Sequence, residues 1–161
     1  MVFITLGSQK FPFDRLLQRV DELVGQGAIA DEVFAQTGYS TYEPQGYASK
    51  PFLDRDEFAM RMAAAHVVIT HAGTGAIMGA LKAGCKVIAV PRLARYGEHV
   101  DDHQVQLIGE FEGMGIIEAC YDVAELGGAY RRCLAHEYAR YESNTATIVD
   151  DLARYLDSEV R

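Results

Sequence analysis

The stretch that decides the fold reads Val67-Val68-Ile69-Thr70-His71-Ala72-Gly73-Thr74-Gly75-Ala76. Its first four residues are apolar or β-branched and predict a buried strand, while the glycines after them predict a tight turn into a helix. We expect this helix to cover residues 75–83 and to end at Gly84, and the next apolar run, residues 86–90, to form a strand that stops at Pro91. The pattern is typical of two strands joined by a helix in a parallel sheet.

The same alternation extends along the chain in both directions. It predicts further strands at residues 2–6, 32–37 and 115–119, with a short strand near residues 46–49. It predicts further helices at residues 54–64, 101–112, 122–136 and 145–157. Another helix is predicted after the first strand, where five apolar residues share one face: Phe13, Leu16, Leu17, Val20 and Val24. These elements predict an α/β fold in which helices cover both faces of a parallel sheet.

Length and composition bound the class of protein. The 161 residues, 49% of them hydrophobic, suit a single domain over residues 1–161 with no internal repeat or linker. The net charge of −8, with 15 basic residues scattered along the chain, argues against nucleic-acid binding. No run approaches the roughly 18 to 20 apolar residues of a membrane span, and Met1-Val2-Phe3-Ile4-Thr5 lacks the charged flank of a signal peptide, so we expect a soluble cytoplasmic protein.

The three cysteines lie far apart in apolar segments and do not have zinc-binding spacing. We therefore expect reduced core thiols at Cys85, Cys120 and Cys133.

Two glycine-containing loops leave predicted strands, and ligands of open α/β sheets bind beyond the carboxyl ends of the strands. The first loop is Leu6-Gly7-Ser8-Gln9 and the second is residues 71–76. The second loop precedes a helix, whose free N–H groups and positive dipole end suit a diphosphate. The alternative is that its glycines serve only the tight turn. The loop is not a nicotinamide-binding fingerprint, because the third glycine is absent and no acidic residue ends a strand about 20 residues later.

The segment after the next predicted strand is rich in polar groups. It reads Val90-Pro91-Arg92-Leu93-Ala94-Arg95-Tyr96-Gly97-Glu98-His99-Val100-Asp101-Asp102-His103-Gln104, and eight of these fifteen residues are charged, His or Gln. Carboxylates and amides accept or donate in pairs and therefore suit sugar hydroxyls. The position of this segment beside the glycine loop favours a polyhydroxylated ligand, and a merely solvated loop is the alternative.

Three stretches of the chain resemble the nucleotide-sugar-binding half of family 28 glycosyltransferases. They are Ile69-Thr70-His71-Ala72-Gly73-Thr74-Gly75, Ala83-Gly84-Cys85-Lys86-Val87-Ile88-Ala89-Val90-Pro91-Arg92 and Tyr96-Gly97-Glu98-His99-Val100-Asp101-Asp102-His103-Gln104. The opening Phe3-Ile4-Thr5-Leu6-Gly7-Ser8, followed by Pro12-Phe13-Asp14-Arg15-Leu16, is similar to the amino-terminal signature of small bacterial exopolysaccharide subunits. Those subunits are related to the eukaryotic small subunit of the dolichol-linked N-acetylglucosaminyltransferase. The resemblance implies a Rossmann-like domain equivalent to the carboxyl-terminal half of a GT-B glycosyltransferase.

The resemblance also implies a site. A UDP-sugar donor would bind without a metal or other cofactor, with residues 73–76 at the diphosphate and with Glu98, His103 and Gln104 facing the ribose or donor sugar. The full set of implied UDP-sugar-binding residues is Gly7, Ser8, His71, Ala72, Gly73, Thr74, Gly75, Ala76, Arg92, Glu98, His99, His103 and Gln104. Many relatives carry a Glu where this chain has Gly79, and that Glu is often assigned to the ribose, so the ribose contact departs from the family pattern here.

The resemblance and the chain length together imply a partner. A GT-B enzyme closes its active site between two Rossmann-like halves, and 161 residues suffice for one. The acceptor half is therefore expected from another polypeptide, which in the resembling systems is a membrane-anchored subunit that holds a lipid-linked saccharide acceptor. The chain would then be peripheral at the inner face of the membrane. The predicted last helix, with Ile148, Leu152, Tyr155 and Leu156 on one side, either contacts this partner or covers the chain's own sheet.

The sequence leaves the assignment of the catalytic groups open. Inverting transfer needs a base to deprotonate the acceptor hydroxyl and positive groups to stabilise the departing UDP. His71 and His99 are the candidate bases, with a base from the partner as the alternative. Arg92 and Arg95 either offset the leaving-group charge or are surface cations.

Three functions compete for this sequence. The favoured function is the catalytic subunit of a two-component transferase in exopolysaccharide or capsule biosynthesis. The second is a non-catalytic adaptor that stabilises a membrane-bound partner. The third is a hydrolase or epimerase that acts on a nucleotide-sugar alone, for which the sequence lacks a paired-carboxylate or Ser/His/Asp set.

Overall fold

The computed structural model describes residues 1–141. Its strands are β1 (Val2–Thr5), β2 (Val33–Gln36), β3 (Ala48–Lys50), β4 (Val67–Thr70), β5 (Lys86–Ala89) and β6 (Glu118–Ala119). Its helices are α1 (Asp14–Gly25), α2 (Arg55–Ala64), α3 (Thr74–Lys82), α4 (His103–Gly113) and α5 (Leu126–Ala135), and two short 3-10 helices cover Ala94–Tyr96 and Val123–Glu125. None of the helices in this part of the chain is long and apolar enough to cross a membrane.

All six strands are parallel and pair in the order β3-β2-β1-β4-β5-β6. The chain builds one side of the sheet from β1 outward to β3, and then returns to the centre to pair β4 with β1. Thr5, the last residue of β1, therefore lies between Gln36 of β2 and Thr70 of β4. Strand order reverses between β1 and β4, and at such a switch point the loops that leave the two strands diverge and open a crevice.

Two apolar cores lie on the two faces of the sheet. One face packs against α1 and α5, and the other packs against α2, α3 and α4. Side chains alternate along β1, because Val2 and Ile4 join the first core whereas Phe3 joins the second. Strands that are buried on both faces need apolar residues at successive positions. This double burial explains why the central strands read as uninterrupted apolar runs, and it confirms the predicted fold class.

Several predicted elements differ from the observed ones at their ends. The strand predicted at residues 115–119 keeps only Glu118–Ala119, because the backbone N–H groups of Gly115 and Ile116 still donate to the last turn of α4. The helix predicted at residues 122–136 begins with a 3-10 turn, and α5 starts at Leu126. Helix α4 starts at His103, two residues later than predicted. The helix predicted at residues 145–157 lies outside the described residues.

The three cysteines belong to the interior. Cys85, Cys120 and Cys133 are free and buried, as predicted. Burial raises the pKa of Cys133 to about 11 and that of Cys120 to about 12. Both groups are therefore neutral thiols at physiological pH, which makes them packing residues rather than nucleophiles.

A side-chain cap holds the start of α2 and yields a test of the fold. Asp54 Oδ1 accepts a hydrogen bond of 2.8 Å from the backbone N–H of Glu57, which confirms the predicted start of this helix. We expect Asp54→Ala to lower the free energy of unfolding by about 1 kcal/mol, because this N–H loses its acceptor. Urea unfolding measures the loss. Asp56→Ala, two residues into the same turn, is the control, and an equal loss in both variants would contradict the capping role.

Candidate functional site

A cavity of about 480 Å³ lies where β1 and β4 end, and we call it the switch-point cavity. Its lining comes from the loops after these two strands and from neighbouring side chains: Thr5, Gly7, Ser8, Gln9, Gln36, Phe58, Met62, His71, Gly73, Thr74, Gly75, Ala76 and Gly79. Its size lies within the roughly 300–1,000 Å³ of small-molecule sites. A cavity of about 510 Å³ beside Lys86 opens at the opposite end of the sheet, since Lys86 begins β5. Because parallel α/β sheets bind ligands at the carboxyl ends of their strands, the switch-point cavity is the candidate site.

Two glycine backbones enclose the ring of His71 at one wall of this cavity. A Cβ atom on Gly7 would lie 2.6 Å from His71 Cε1, and a Cβ atom on Gly73 would lie 2.4 Å from His71 Nε2. Gly7 also has a φ of 69°, whereas Gly73 has a φ of −76° that any residue adopts. Gly73 is therefore required by the close approach of the imidazole and not by the φ angle of the turn.

The backbone at Ala72, between His71 and Gly73, is strained. Ala72 has a φ of 62° and is fully buried. An L-residue in this left-handed region is uncommon, and such residues concentrate at functional sites. The two neighbours of this strained residue, His71 and Gly73, both line the switch-point cavity.

The His71 ring is neutral at physiological pH. Its Nδ1 lies 3.3 Å from the carbonyl oxygen of Thr5 and 3.3 Å from Thr70 Oγ1. A carbonyl oxygen only accepts, so we assign the ring proton to Nδ1, and the lone pair of Nε2 then faces Gly73. Burial is the largest cause that lowers the pKa of His71 to about 4, followed by the charge of Arg92. A group with this pKa is a weak general base.

Arg92 lies inside the protein, directly after the end of β5. Its side chain is fully buried, and Nη2 donates to the carbonyl oxygens of Leu6 at 2.8 Å and Phe11 at 3.2 Å. Burial lowers the pKa of Arg92 to about 10, so the guanidinium stays charged at neutral pH. Arg92 therefore holds the loop after β1 from within and is not a surface cation. Arg95 is exposed, and its guanidinium lies over the ring of Tyr96.

The side-chain oxygens of Glu98 and Gln104 accept hydrogen bonds from other groups of the protein. Glu98 is 4% exposed; its Oε1 and Oε2 accept from Arg15 at 2.6 and 2.9 Å, and Oε2 also accepts from the backbone N–H of Leu93 at 3.0 Å. Gln104 is 3% exposed, and its Oε1 accepts from the backbone N–H of Arg92 at 3.0 Å. Sequence analysis predicted that both residues face the ribose or sugar. In the structure these oxygens accept from Arg15 and from the backbone of the loop, and their contact to the donor stays a prediction.

His99 and His103 flank one carboxylate at the start of α4. Asp101 Oδ1 lies 3.3 Å from His99 Nδ1 and forms a hydrogen bond with His103 Nδ1. This bond lowers the pKa of the Asp101 carboxyl group. His99 is nearly buried, with its ring centroid 5.3 Å from that of Phe11, whereas His103 is exposed. The three side chains are of metal-ligating type and lie within 4.8 Å of one another, and the hydrogen bonds to Asp101 already account for their arrangement.

The structure brings part of the predicted site together. Gly7, Ser8, His71 and residues 73–76 line the switch-point cavity, and Glu98 lines a separate cleft of about 330 Å³. The other predicted residues line neither space: Ala72, Arg92, His99, His103 and Gln104. Two glycines of the cavity, Gly75 and Gly79, have no atom within 4 Å of a Cβ position. The volume beside Gly79 is therefore open.

Sequence analysis missed two polar residues of this region. Gln36 lines the switch-point cavity, and its Oε1 accepts from the hydroxyl of Thr5 at 3.3 Å. A polar residue at the end of an apolar strand was the available signal. Arg15 forms an ion pair with Glu98. The sequence feature that could have pointed to Arg15 is its position in the stretch from Pro12 to Leu16, which resembles the family signature.

The strand order and the cavity at its switch point define a Rossmann-like α/β domain. The sequence matches the model of the glycosyltransferase family 28 C-terminal domain over residues 1–156. The chain belongs to this family. Among curated proteins, none matches the sequence significantly.

Solved structures with the same fold are GT-B glycosyltransferases. The glycosyltransferase of kitacinnamycin is 18% identical, with a TM-score of 0.58 over 83% of this chain and 33% of that one. MurG of Acinetobacter baumannii is 18% identical, with a TM-score of 0.57 over 81% of this chain and 40% of that one. SnogD of Streptomyces nogalater is 20% identical, with a TM-score of 0.52 over 83% of this chain and 34% of that one. The chain therefore spans about a third to two fifths of the length of these proteins.

The lowered pKa of His71 predicts a pH-dependent stability. Its value of about 4 in the folded protein lies below the ordinary 6.5. Between these pH values the unfolded chain binds a proton that the folded protein does not bind, so stability falls as the pH drops from 6.5 to 4, by up to about 3 kcal/mol. Urea unfolding at about pH 7 and about pH 4.5 measures this loss. We expect His71→Gln to lose less stability than the wild type over this interval, and equal losses would contradict the assignment.

Proposed function

We propose that the chain is the UDP-sugar-binding catalytic subunit of a two-component, metal-independent, inverting glycosyltransferase. It adds a sugar to a lipid-linked acceptor in exopolysaccharide or capsule biosynthesis. Membership of family 28 supports the type of reaction. The observation that carries the proposal is the switch-point cavity, where the amino end of α3 and the backbones of two glycine loops face one space.

The amino end of α3 suits the diphosphate of the donor. The first N–H groups of a helix lack intrahelical acceptors, and the helix dipole places partial positive charge there. Thr74 and Gly75 open the helix, and Gly75 leaves room for an approaching phosphate. The charge of Arg92, which acts on His71, adds to the positive potential of this wall. These groups stabilise departing UDP in the absence of a metal ion.

We place the acceptor half of the site on a membrane-anchored partner chain. The compared GT-B proteins are longer, since this chain spans 33–40% of their length. Exposed apolar side chains at the carboxyl edge of the sheet support a facing surface. Tyr39 and Phe52 are 47% and 46% exposed with ring centroids 5.3 Å apart, and Val100 is 75% exposed. Through this partner the chain works at the inner face of the membrane.

The base that deprotonates the acceptor hydroxyl comes from His99 or from the partner. His71 is neutral, but its pKa of about 4 makes it a weak base, and its ring is enclosed by Gly7 and Gly73. His99 Nδ1 accepts from the backbone N–H of Asp101 at 3.4 Å and lies 3.3 Å from the Asp101 carboxylate, which holds the ring in place within the polar loop of residues 92–104. His71 then shapes the diphosphate wall and does not move the proton.

A second candidate function is a non-catalytic adaptor that stabilises the membrane-bound partner. The inward-facing oxygens of Glu98 and Gln104 favour it, because these side chains were the predicted contacts to the sugar. Calorimetric titration of the wild-type chain with UDP and a panel of UDP-sugars separates the two functions. The catalytic subunit binds UDP and at least one UDP-sugar, whereas the adaptor binds neither tightly.

The open space at Gly75 yields the test of the cavity itself. We expect Gly75→Leu to weaken UDP binding more than about tenfold, or about 1.4 kcal/mol, because the side chain fills the volume above the helix end. Calorimetry measures the affinity, and the melting temperature reports the fold.

The matched control is Gly113→Leu in α4. Gly113 is also a helical glycine with no atom within 4 Å of a Cβ position, and it does not line the switch-point cavity. We expect this variant to keep the wild-type affinity. An unchanged affinity in Gly75→Leu, or a loss of wild-type binding on chelation of divalent ions, would overturn the proposed site.

A further inference from the structure

Arg15 links α1 to the polar loop of residues 92–104, which we call the donor loop. Its Nε donates to Glu98 Oε1 at 2.6 Å and its Nη2 donates to Glu98 Oε2 at 2.9 Å. Nη2 also donates to the carbonyl oxygen of Pro91 at 2.9 Å, directly before the loop. The fork geometry of the guanidinium matches both oxygens of a carboxylate. Arg15 therefore holds both the start and the middle of the donor loop.

Two aromatic rings restrict the guanidinium of Arg15. Its central carbon lies 5.0 Å from the ring centroid of Phe13 and 4.9 Å from that of Tyr96. Such distances are within the range of cation–π attraction. Phe13 belongs to the buried core and Tyr96 belongs to the donor loop, so this contact is a second link between the loop and the body of the domain.

Arg15 is the charged partner of the Glu98 carboxylate. The carboxylate side chain is 5% exposed, and the side chain of Arg15 is 18% exposed. Apart from Arg15, the donor to Glu98 is the backbone N–H of Leu93. Removal of one partner of a buried ion pair leaves an unpaired buried charge, which is strongly unfavourable. Without Arg15 the Glu98 carboxylate either takes up a proton or moves toward water, and both changes remove the hold of Glu98 on the middle of the donor loop.

The donor loop is also braced within itself, and Arg92 at its start is bonded to the loop after β1. The backbone N–H of Arg92 donates to Gln104, and that of Ala94 donates to Asp102 Oδ1 at 2.8 Å. These bonds join the two ends of the loop to each other. The link from Glu98 to Arg15 ties the loop to α1, and it lies in the cleft apart from the switch-point cavity.

We propose that Arg15 is a positioning residue: through Glu98 it holds the donor loop in the conformation that receives the donor sugar. This inference rests on the proposed UDP-sugar binding. Arg15 does not line the switch-point cavity, where the glycine loops would hold the diphosphate. Loss of Arg15 is therefore expected to impair recognition of the sugar while leaving the contacts to UDP in place.

The first experiment compares the affinities of UDP and of the best-binding UDP-sugar for the wild type and for Arg15→Met. We expect the affinity for the UDP-sugar to fall at least about tenfold, while the affinity for UDP stays within about twofold. Arg15→Lys keeps the positive charge but cannot donate to both carboxylate oxygens of Glu98. We therefore expect its affinity for the UDP-sugar to be only slightly higher than that of Arg15→Met. Melting temperatures show that each variant is folded.

The matched control is Arg19→Met on the same helix. Arg19 also forms an ion pair, with Glu22 at 2.7 Å, and donates to a backbone carbonyl, that of Ala124 at 3.1 Å, but it does not contact the donor loop. We expect this variant to keep the wild-type ratio of the two affinities. If it shifts the ratio as much as Arg15→Met, the positioning role is overturned.

The second experiment tests whether Arg15 acts through Glu98. Amide hydrogen exchange is expected to speed up in residues 92–104 of Arg15→Met, and not in residues 71–76. Glu98→Gln removes the charge, so the further substitution Arg15→Met in that background is expected to cost little more sugar affinity. Additive losses, or exchange that speeds up equally in both loops, would overturn the inference.

The outcomes separate this inference from the proposed function. A wild-type chain that binds neither UDP nor any UDP-sugar overturns the proposed function and the role of Arg15 with it. A wild-type chain that binds a UDP-sugar, together with a folded Arg15→Met that keeps the same affinity ratio, overturns the positioning role alone. If Arg15→Met does not fold, Arg15→Lys and Glu98→Gln carry the same comparison.

Discussion

The candidate site depends on the contact between two glycine backbones and one imidazole ring. The ring of His71 lies where side chains on Gly7 and Gly73 would overlap it, at 2.6 and 2.4 Å. The sheet order places β1 beside β4, so the loops after these strands meet across that ring. Its Nδ1 is anchored at the end of β1, and its Nε2 faces the turn into α3. The position of the helix end, and with it the shape of the cavity, follows from this packing.

Buried charges organise the loops around that contact. Arg92 holds the loop after β1 through two carbonyl oxygens, and Arg15 holds the donor loop through Glu98. Burial of charge costs hydration energy, so such pairs are weak contributors to net stability. The partners are nevertheless specific: Arg92 Nη2 meets two carbonyl oxygens, and the fork of Arg15 meets both oxygens of one carboxylate. In this domain the arginines therefore define where two loops lie rather than how stable the fold is.

The domain corresponds to about a third to two fifths of the length of the compared glycosyltransferases. Family 28 membership and the likeness to the GT-B structures agree on a carboxyl-terminal glycosyltransferase domain. The carboxyl edge carries the glycine-lined cavity, the donor loop and exposed aromatic side chains together. This is the surface on which the acceptor half is proposed to lie.

Local patterns in the sequence determined the elements, and long-range packing determined the details of the site. Apolar spacing located the strands and helices, since burial on both faces dictates residue type at each position, and Asp54 marked the start of α2. The same spacing predicted β6 too long, because it does not show that the N–H groups of Gly115 and Ile116 donate to the last turn of α4. The polar pattern of residues 92–104 located the donor loop, but the inward turn of Glu98 depends on Arg15, 83 residues earlier in the chain. The spacing of apolar residues is a local property, so it can be read from the sequence. The partners of the polar side chains depend on which loops the strand order brings together, and only the tertiary structure decides that order.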